Sequence, residues 1–172
     1  WSSDVCSSDL AVNADATVIL NMTGTTPAAW NDPVKGAELA RAQKAQGSDV
    51  IFAAAGGTGL GVLQTAADEG ILSIGVDSNQ NYLHPGSVLT SMLKRVDVAV
   101  YNSMLAGPEL DTTPQALNLA NEGVGYAMDE HNASLVTAEM QAAVNAAADK
   151  IKSGELVVHD YTTDNTCPAA TF

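Results

Sequence analysis

Four features of this sequence could do chemistry: the glycine run Gly56-Gly57-Thr58-Gly59-Leu60-Gly61, the acid Asp77, the amine Lys94 and the indole of Trp30. The glycine run follows an apolar, partly β-branched stretch. It therefore reads as a turn from a strand into a helix, whose first N–H groups stay unpaired and can meet a polar ligand beside the Thr58 hydroxyl. Asp77 closes another apolar stretch, residues 72–76. At the carboxyl edge of a parallel sheet, such a carboxylate can accept from two neighbouring sugar hydroxyls. Lys94 ends the next apolar stretch, where it can hold that carboxylate and donate to the same sugar. Trp30, just ahead of a helix start, can stack on a flat heterocycle. Together they fit a ribosylated heterocycle better than any one of them does.

Each feature also has a plainer reading. A glycine run can be a tight turn with no ligand, Asp77 a turn cap, Lys94 a solvated cation and Trp30 a core or rim residue. The dinucleotide fingerprint Gly-x-Gly-x-x-Gly fails here, because Gly57 and Gly59 are followed by Val62 at the third glycine position, although Asp77 lies twenty residues beyond Gly57. A phosphate-binding Walker loop fails as well, since no Lys-Ser or Lys-Thr follows Gly61.

Catalytic arrangements are weaker still. His84, His131 and His159 show no metal-ligand spacing. No Gly-x-Ser-x-Gly elbow is present. Ser91 precedes Lys94, but no spacing establishes a serine–lysine pair. Asp129-Glu130 reads as solvated loop charge. Asn21-Met22-Thr23 and Asn132-Ala133-Ser134 match the glycosylation pattern, a weak signal on its own. The reading therefore has no catalytic residue, no metal and no cofactor.

The elements that must position these residues follow from the pattern. Residues 17–22 are an apolar run expected to be a buried strand. Asn31-Asp32-Pro33 is a helix start, with a capping side chain and a proline in the first turn. That helix is expected to run to about Gln46. A strand at 49–55, a helix at 59–69 and a strand at 72–76 follow, giving β-α-β-α-β with short connections, the pattern of a parallel sheet covered by helices. Beyond Asp77 come a polar loop at 79–86, a strand at 87–93 and a helix at 95–105 with Val96, Ala99, Val100 and Met104 roughly on one face. Residues 115–128 read as strand segments broken by a turn. A helix at 137–152, capped by Thr137, and a short strand at 156–159 close the order.

The formal net charge is −13. Residues 1–10 back-translate into a common sequencing-adapter oligonucleotide, so they are expected to be artefactual, Cys6 included, which leaves Cys167 alone. Without Asp4 and Asp9, eighteen acids still face seven Lys plus Arg. Such acidity argues against nucleic acid and against an anionic membrane surface as partners. No apolar run reaches the roughly 18 residues that span a bilayer.

Five segments in order carry a resemblance: Trp30-Asn31-Asp32-Pro33 with Lys35-Gly36; Gly47-Ser48-Asp49-Val50-Ile51-Phe52; the glycine run through Val62; Gly75-Val76-Asp77-Ser78-Asn79-Gln80; and Leu89-Thr90-Ser91-Met92-Leu93-Lys94. Over residues 12–162 the chain resembles the C-terminal half of the basic membrane protein family, the purine nucleoside receptor lipoproteins of bacterial ABC importers. The resemblance implies a type I periplasmic-binding fold of two α/β lobes. Residues 11–86 would belong to the second lobe, 87–120 would return to the first, 121–160 would hold the crossover with the C-terminal helix and strand, and 161–172 a tail.

The resemblance also implies that Trp30 is one of two aromatics sandwiching a purine. Asp77 and Lys94 would bind the ribose, and Gly56, Gly57 and Thr58 would line the cleft. The implied partners are a purine nucleoside-like molecule and ABC permease subunits. A lipid anchor on an N-terminus outside this chain and a periplasmic or cell-surface location are implied too. The first lobe's opening strands, which would carry the partner aromatic and an Asp-Asn pair reading the base, have no match here. The rival readings are a nucleoside-processing enzyme and a ligand-sensing regulator on the same scaffold.

Overall fold

Asp32 starts the first helix by accepting a hydrogen bond from the Lys35 amide at 2.9 Å, with Pro33 in the first helical position. Helix α1 (Pro33–Ala45) ends at Gln46, and Gly47, at φ +98°, turns the chain away. In the computed structural model, which describes residue 13 and residues 15–158, the chain then enters a four-stranded sheet. Strand β1 (Val50–Phe52) leads through the glycine turn into helix α2 (Gly59–Asp68). Strand β2 (Leu72–Gly75) and strand β3 (Val88–Lys94) follow, then helix α3 (Val96–Ala106), strand β4 (Val124–Tyr126) and helix α4 (Ala138–Ser153).

The strands lie in the order β1-β2-β3-β4. Val50 pairs with Leu72 and Phe52 with Ile74 in parallel. Gly75 pairs with Ser91, also in parallel, after a register shift at Ser73/Ile74. β4 runs antiparallel to β3, with Met92 opposite Tyr126. The sheet is therefore mixed rather than wholly parallel. Its three parallel strands all end on one edge, and that edge is where the glycine turn, Asp77 and Lys94 emerge.

The core lies between the sheet and the α1–α2 pair, where Ala40, Ile51, Ala53 and Val62 are buried and Ile71 packs against them. Its small residues let the two helices close up. A Cβ on Gly61 would stand 1.8 Å from the Pro33 carbonyl oxygen, and one on Gly36 would stand 2.3 Å from that of Thr58. Neither helix can back away without opening the core, so both glycines are set by contact distance.

Four expectations need correction. Residues 17–22 form no strand; Ile19 offers its carbonyl to the Gln43 side chain at 3.3 Å, and no ladder with β1 forms. Of residues 115–128, only Val124–Tyr126 pair as a strand, because Asn118 and Asn121 bond the neighbouring backbone and hold a turn instead. Residues 156–158 are not a strand either; the Leu156 amide donates to Lys150 O in the cap of α4, and His159 and Cys167 lie outside the described residues. The face expected on α3 does not pack: Val96, Val100 and Met104 are exposed, and no residue of that helix is buried.

The Thr137 cap is present, its hydroxyl accepting from the Met140 amide at 3.1 Å, and Gly154 ends α4 at φ +78°.

The glycine contacts give a test by urea denaturation. Gly61→Ala is expected to lower stability by more than about 2 kcal/mol, because backbone would have to move. Gly125→Ala, whose Cβ would meet nothing within 4 Å, is expected to stay within about 0.5 kcal/mol. Equal effects would mean that the helices do not touch at Gly61.

Candidate ligand site at the strand ends

A cavity of about 260 Å³ opens at the carboxyl edge of the sheet, lined by Trp30, Ala54, Ala55, Gly56, Val76, Asp77 and Lys94. Ala54, Ala55 and Gly56 come from the end of β1, Val76 and Asp77 from the end of β2, and Lys94 from the end of β3. Trp30 ends a short 3-10 turn, Pro27–Trp30, immediately before the α1 cap.

Lys94 and Asp77 hold each other twice. The Lys94 amide donates to Asp77 O at 2.9 Å, and Lys94 Nζ lies 2.9 Å from Asp77 Oδ1. Both side chains stay about half exposed, at 50% and 43%, so this ion pair fixes geometry more than it stabilises the fold. The second carboxylate oxygen has no protein partner among the described residues. Asp77 sits at φ +68°, an uncommon conformation outside glycine that is held here by its surroundings.

Those surroundings form a polar network behind β2 and β3, buried at Asn81, Ser91 and Asn132. Gln80 Oε1 accepts from the Val76 amide at 2.9 Å, while the Gln80 amide donates to Ser91 Oγ at 3.0 Å. Ser91 Oγ in turn donates to Asn81 Oδ1 at 2.8 Å. Asp129 Oδ2 accepts from Asn79 Nδ2 at 2.6 Å and Asn81 Nδ2 at 3.2 Å. Asn132 donates to the carbonyls of Leu89 and Ala127 and accepts from the Asp129 amide. A Cβ at position 75 would fall 2.7 Å from Gln80 Oε1 and 2.8 Å from Ser91 Oγ, which is why the strand before Asp77 ends in glycine.

Sequence reasoning missed this network, which corrects the reading of Asp129 as solvated loop charge. Ser91 is fully buried and committed to Gln80 and Asn81, so it is no partner for Lys94. Asp129 is an acceptor for two asparagine side chains and the His131 amide rather than free loop charge. The side chain of Asn132 is buried and spent on backbone, so its glycosylation pattern is closed to modification. The signal that could have found the network is the density of Asn, Gln and Ser at 78–81, 91 and 129–132 beside a glycine-ended strand.

The structure gathers Trp30, Gly56, Asp77 and Lys94 around one hollow. Gly57 and Thr58 do not line it. A Cβ on Gly57 would stand 3.0 Å from Asn31 Oδ1, so this glycine serves the approach of the 30–31 segment. Thr58 is fully buried, its hydroxyl donating to Ala29 O and accepting from the Asp32 amide, both at 2.7 Å. Gly56, at φ +55°, lies under the indole, its missing Cβ 3.4 Å from Trp30 Cε3. Trp30 is 53% exposed and neither a core residue nor a sealed one.

A larger hollow of about 680 Å³ runs beside α3 between Arg95, Tyr101, Asn102 and Glu122. It is broad and shallow, and its cation is already taken: Arg95 grips Asp97 with Nε at 3.0 Å and Nη2 at 2.9 Å. The smaller cavity is better formed, with side chains from separate elements converging on it. Asp129, Glu130 and His131 bring potential ligand atoms within 4.8 Å of one another, but Asp129 is occupied as described.

The fold is that of ABC solute-binding proteins. A solute-binding protein structure from Aeropyrum pernix K1 superposes with a TM-score of 0.72 at 25% identity, over 92% of this chain and 53% of that one. The model of the family described as ABC transporter substrate-binding protein PnrA-like matches residues 10–161, and the chain belongs to that family. It is 33% identical to basic membrane protein D of Borreliella burgdorferi, over 69% of this chain and 36% of the relative. It is 30% identical to the ABC transporter nucleoside-binding protein BmpA of Lactococcus lactis, over 86% of this chain and 45% of the relative. The chain thus spans less than half the length of the curated relatives it matches. Among the described residues no helix is long and apolar enough to cross a membrane.

Asp129 makes the network testable through pH. The Asn79 amide holds its carboxyl below the ordinary 3.8, so the folded state favours the ionised form. That contribution is complete above the ordinary value and is lost as pH falls through the lowered one. Asp129→Asn is expected to cost stability at pH 7, with the gap to wild type shrinking as the acid limb is titrated in urea. A gap that stays constant down to about pH 2 would show that the network does not depend on this charge.

Proposed function

We propose that this chain is the ligand-gripping part of the substrate-binding component of a bacterial ABC importer, and that its ligand is a purine nucleoside or a related ribosylated heterocycle. One observation carries the reading: the Asp77 carboxylate is pinned through one oxygen by Lys94, while its other oxygen and the Lys94 amine stand at a cavity roofed by an exposed indole. A carboxylate held this way accepts from two vicinal hydroxyls without moving, and the indole supplies a flat face for a ring. The nucleoside-binding name of the Lactococcus lactis relative supports the same reading.

The hollow of about 260 Å³ is smaller than the roughly 300–1,000 Å³ of closed small-molecule sites, as one wall of an interlobe cleft would be. In this reading residues 11–86 supply the second lobe and 87–120 return toward the first. A ligand touching both lobes draws them together by hinge closure, and the permease recognises the closed form. The whole protein acts outside the cytoplasm and carries its lipid anchor on a segment beyond this chain. An enzyme finds less support. The two relatives named above are a basic membrane protein and a nucleoside-binding protein, and Ser91, three residues before Lys94, is spent on the fold.

In the protein extended to the length of its relatives, Asp77→Ala is expected to weaken inosine by about 10- to 100-fold by calorimetry, the size of one or two charged hydrogen bonds. Hypoxanthine, which lacks the sugar, should change by less than about threefold. Equal losses for the two ligands would remove Asp77 from the ribose.

A further inference from the structure

We infer that Thr58 is a positioning residue, not a ligand contact: its buried hydroxyl bolts the Trp30 turn to the glycine turn and so sets where the indole stands over the cavity. The hydroxyl makes two short bonds in opposite senses. It donates to Ala29 O, one residue before Trp30, and accepts from the Asp32 amide, two residues after it, each at 2.7 Å. Only two residues, Trp30 and Asn31, lie between those anchors. Thr58 itself is 0% exposed and 26 to 29 residues away in sequence, so the bolt is tertiary rather than part of a local turn.

The seat admits this side chain and little else. A Cβ on Gly36 would stand 3.1 Å from Thr58 Cγ2, so the methyl fills the gap between α1 and the turn. The Trp30 carbonyl lies 3.2 Å from where Gly56 would carry a Cβ and 3.3 Å from that of Gly57, so both glycines let the bolted segment settle on the turn. Asp32 is doubly engaged: its amide goes to Thr58, and its carboxylate caps α1 through the Lys35 amide. Removing the hydroxyl takes the partner from the Asp32 amide and the Ala29 carbonyl together, in a part-buried place. The 3-10 turn that ends in Trp30 has no side-chain cap and buries no residue of its own, so nothing within it replaces the bolt.

The effect on the indole stands apart from any ligand, while the consequence for affinity rests on the nucleoside reading above. The chain has two tryptophans, so Trp1→Phe leaves Trp30 as the sole reporter. In that background, Thr58→Val is expected to raise the amplitude of fast indole motion in time-resolved fluorescence anisotropy. It should also speed exchange of the Asp32 amide by about tenfold or more, while the amides of α4 keep their wild-type rates. Thr58→Ser, which keeps the hydroxyl and drops the methyl, is expected to restore both signals.

A Thr58→Val chain whose indole moves as in wild type overturns the proposal, as does a Thr58→Ser chain as loose as the valine variant. Should the valine variant fail to fold, the serine variant and the protection of Asp32 in the parent decide: an unprotected Asp32 amide in the parent overturns it. In the extended protein, Thr58→Val and Trp30→Ala should be non-additive for inosine, valine adding less than about twofold once the indole is gone. Full additivity there, with the indole loosened as expected, would leave the bolt standing and sink the nucleoside reading's use of Trp30.

Discussion

Two hydrogen bonds to one buried hydroxyl hold the candidate site together. Thr58 joins the turn after β1 to the segment between Ala29 and Asp32, and on that joint hang the start of α1, the roof of the cavity and the contact between α1 and α2. The joint closes only because Gly36, Gly56, Gly57 and Gly61 leave no side chain where backbones meet. The glycine run therefore has a double use. Gly56 opens the cavity floor beneath the indole, and the rest are spent on packing.

The acid half of the cavity follows the same logic by other means. Asp77 adopts a left-handed backbone conformation, which costs energy unless its neighbours determine it. Here Gln80 takes the Val76 amide, Ser91 and Asn81 hold the loop that follows, and the Asp129–Asn132 corner fastens that loop to β3 and β4. Lys94 then closes the arrangement from the end of β3. A rigid carboxylate beside a fixed amine suits a neutral polyhydroxyl ligand, because the pair already balances its own charge. One buried polar side chain, Ser73, has no hydrogen-bond partner among the described residues, and nothing else in the structure accounts for it.

Much of this was legible in the sequence, for identifiable reasons. Helix starts at Asp32-Pro33 and Thr137, a helix end near Gln46, and the α-β-α-β order from Pro33 through Val76 are written in local chemistry, and each appears. The convergence of Trp30, Gly56, Asp77 and Lys94 followed from strand ends sharing one edge. What failed was what depends on partners. Residues 17–22 have the composition of a strand but pair with none among the described residues, and Val96, Val100 and Met104 of α3 stay exposed there. Thr58 was misplaced because a hydroxyl at a glycine turn looks the same in sequence whether it faces a ligand or a carbonyl 29 residues away. Ser91, Asn81 and Asn132 were hidden because polar networks have no period.

The exposed residues of α3 and the half-open cavity occur in a chain that spans 36% and 45% of the two relatives named above. In the proposed reading, an α/β unit that supplies one wall of a cleft grips its ligand weakly, at the strand ends. The direct check is an amide and indole NMR titration of the isotopically labelled chain with millimolar inosine. The account predicts shifts concentrated at the Trp30 indole N–H and the amides of Gly56, Asp77 and Lys94, with Arg95 to Glu122 unmoved. Shifts centred on the groove beside α3, or none at the strand ends, would contradict it.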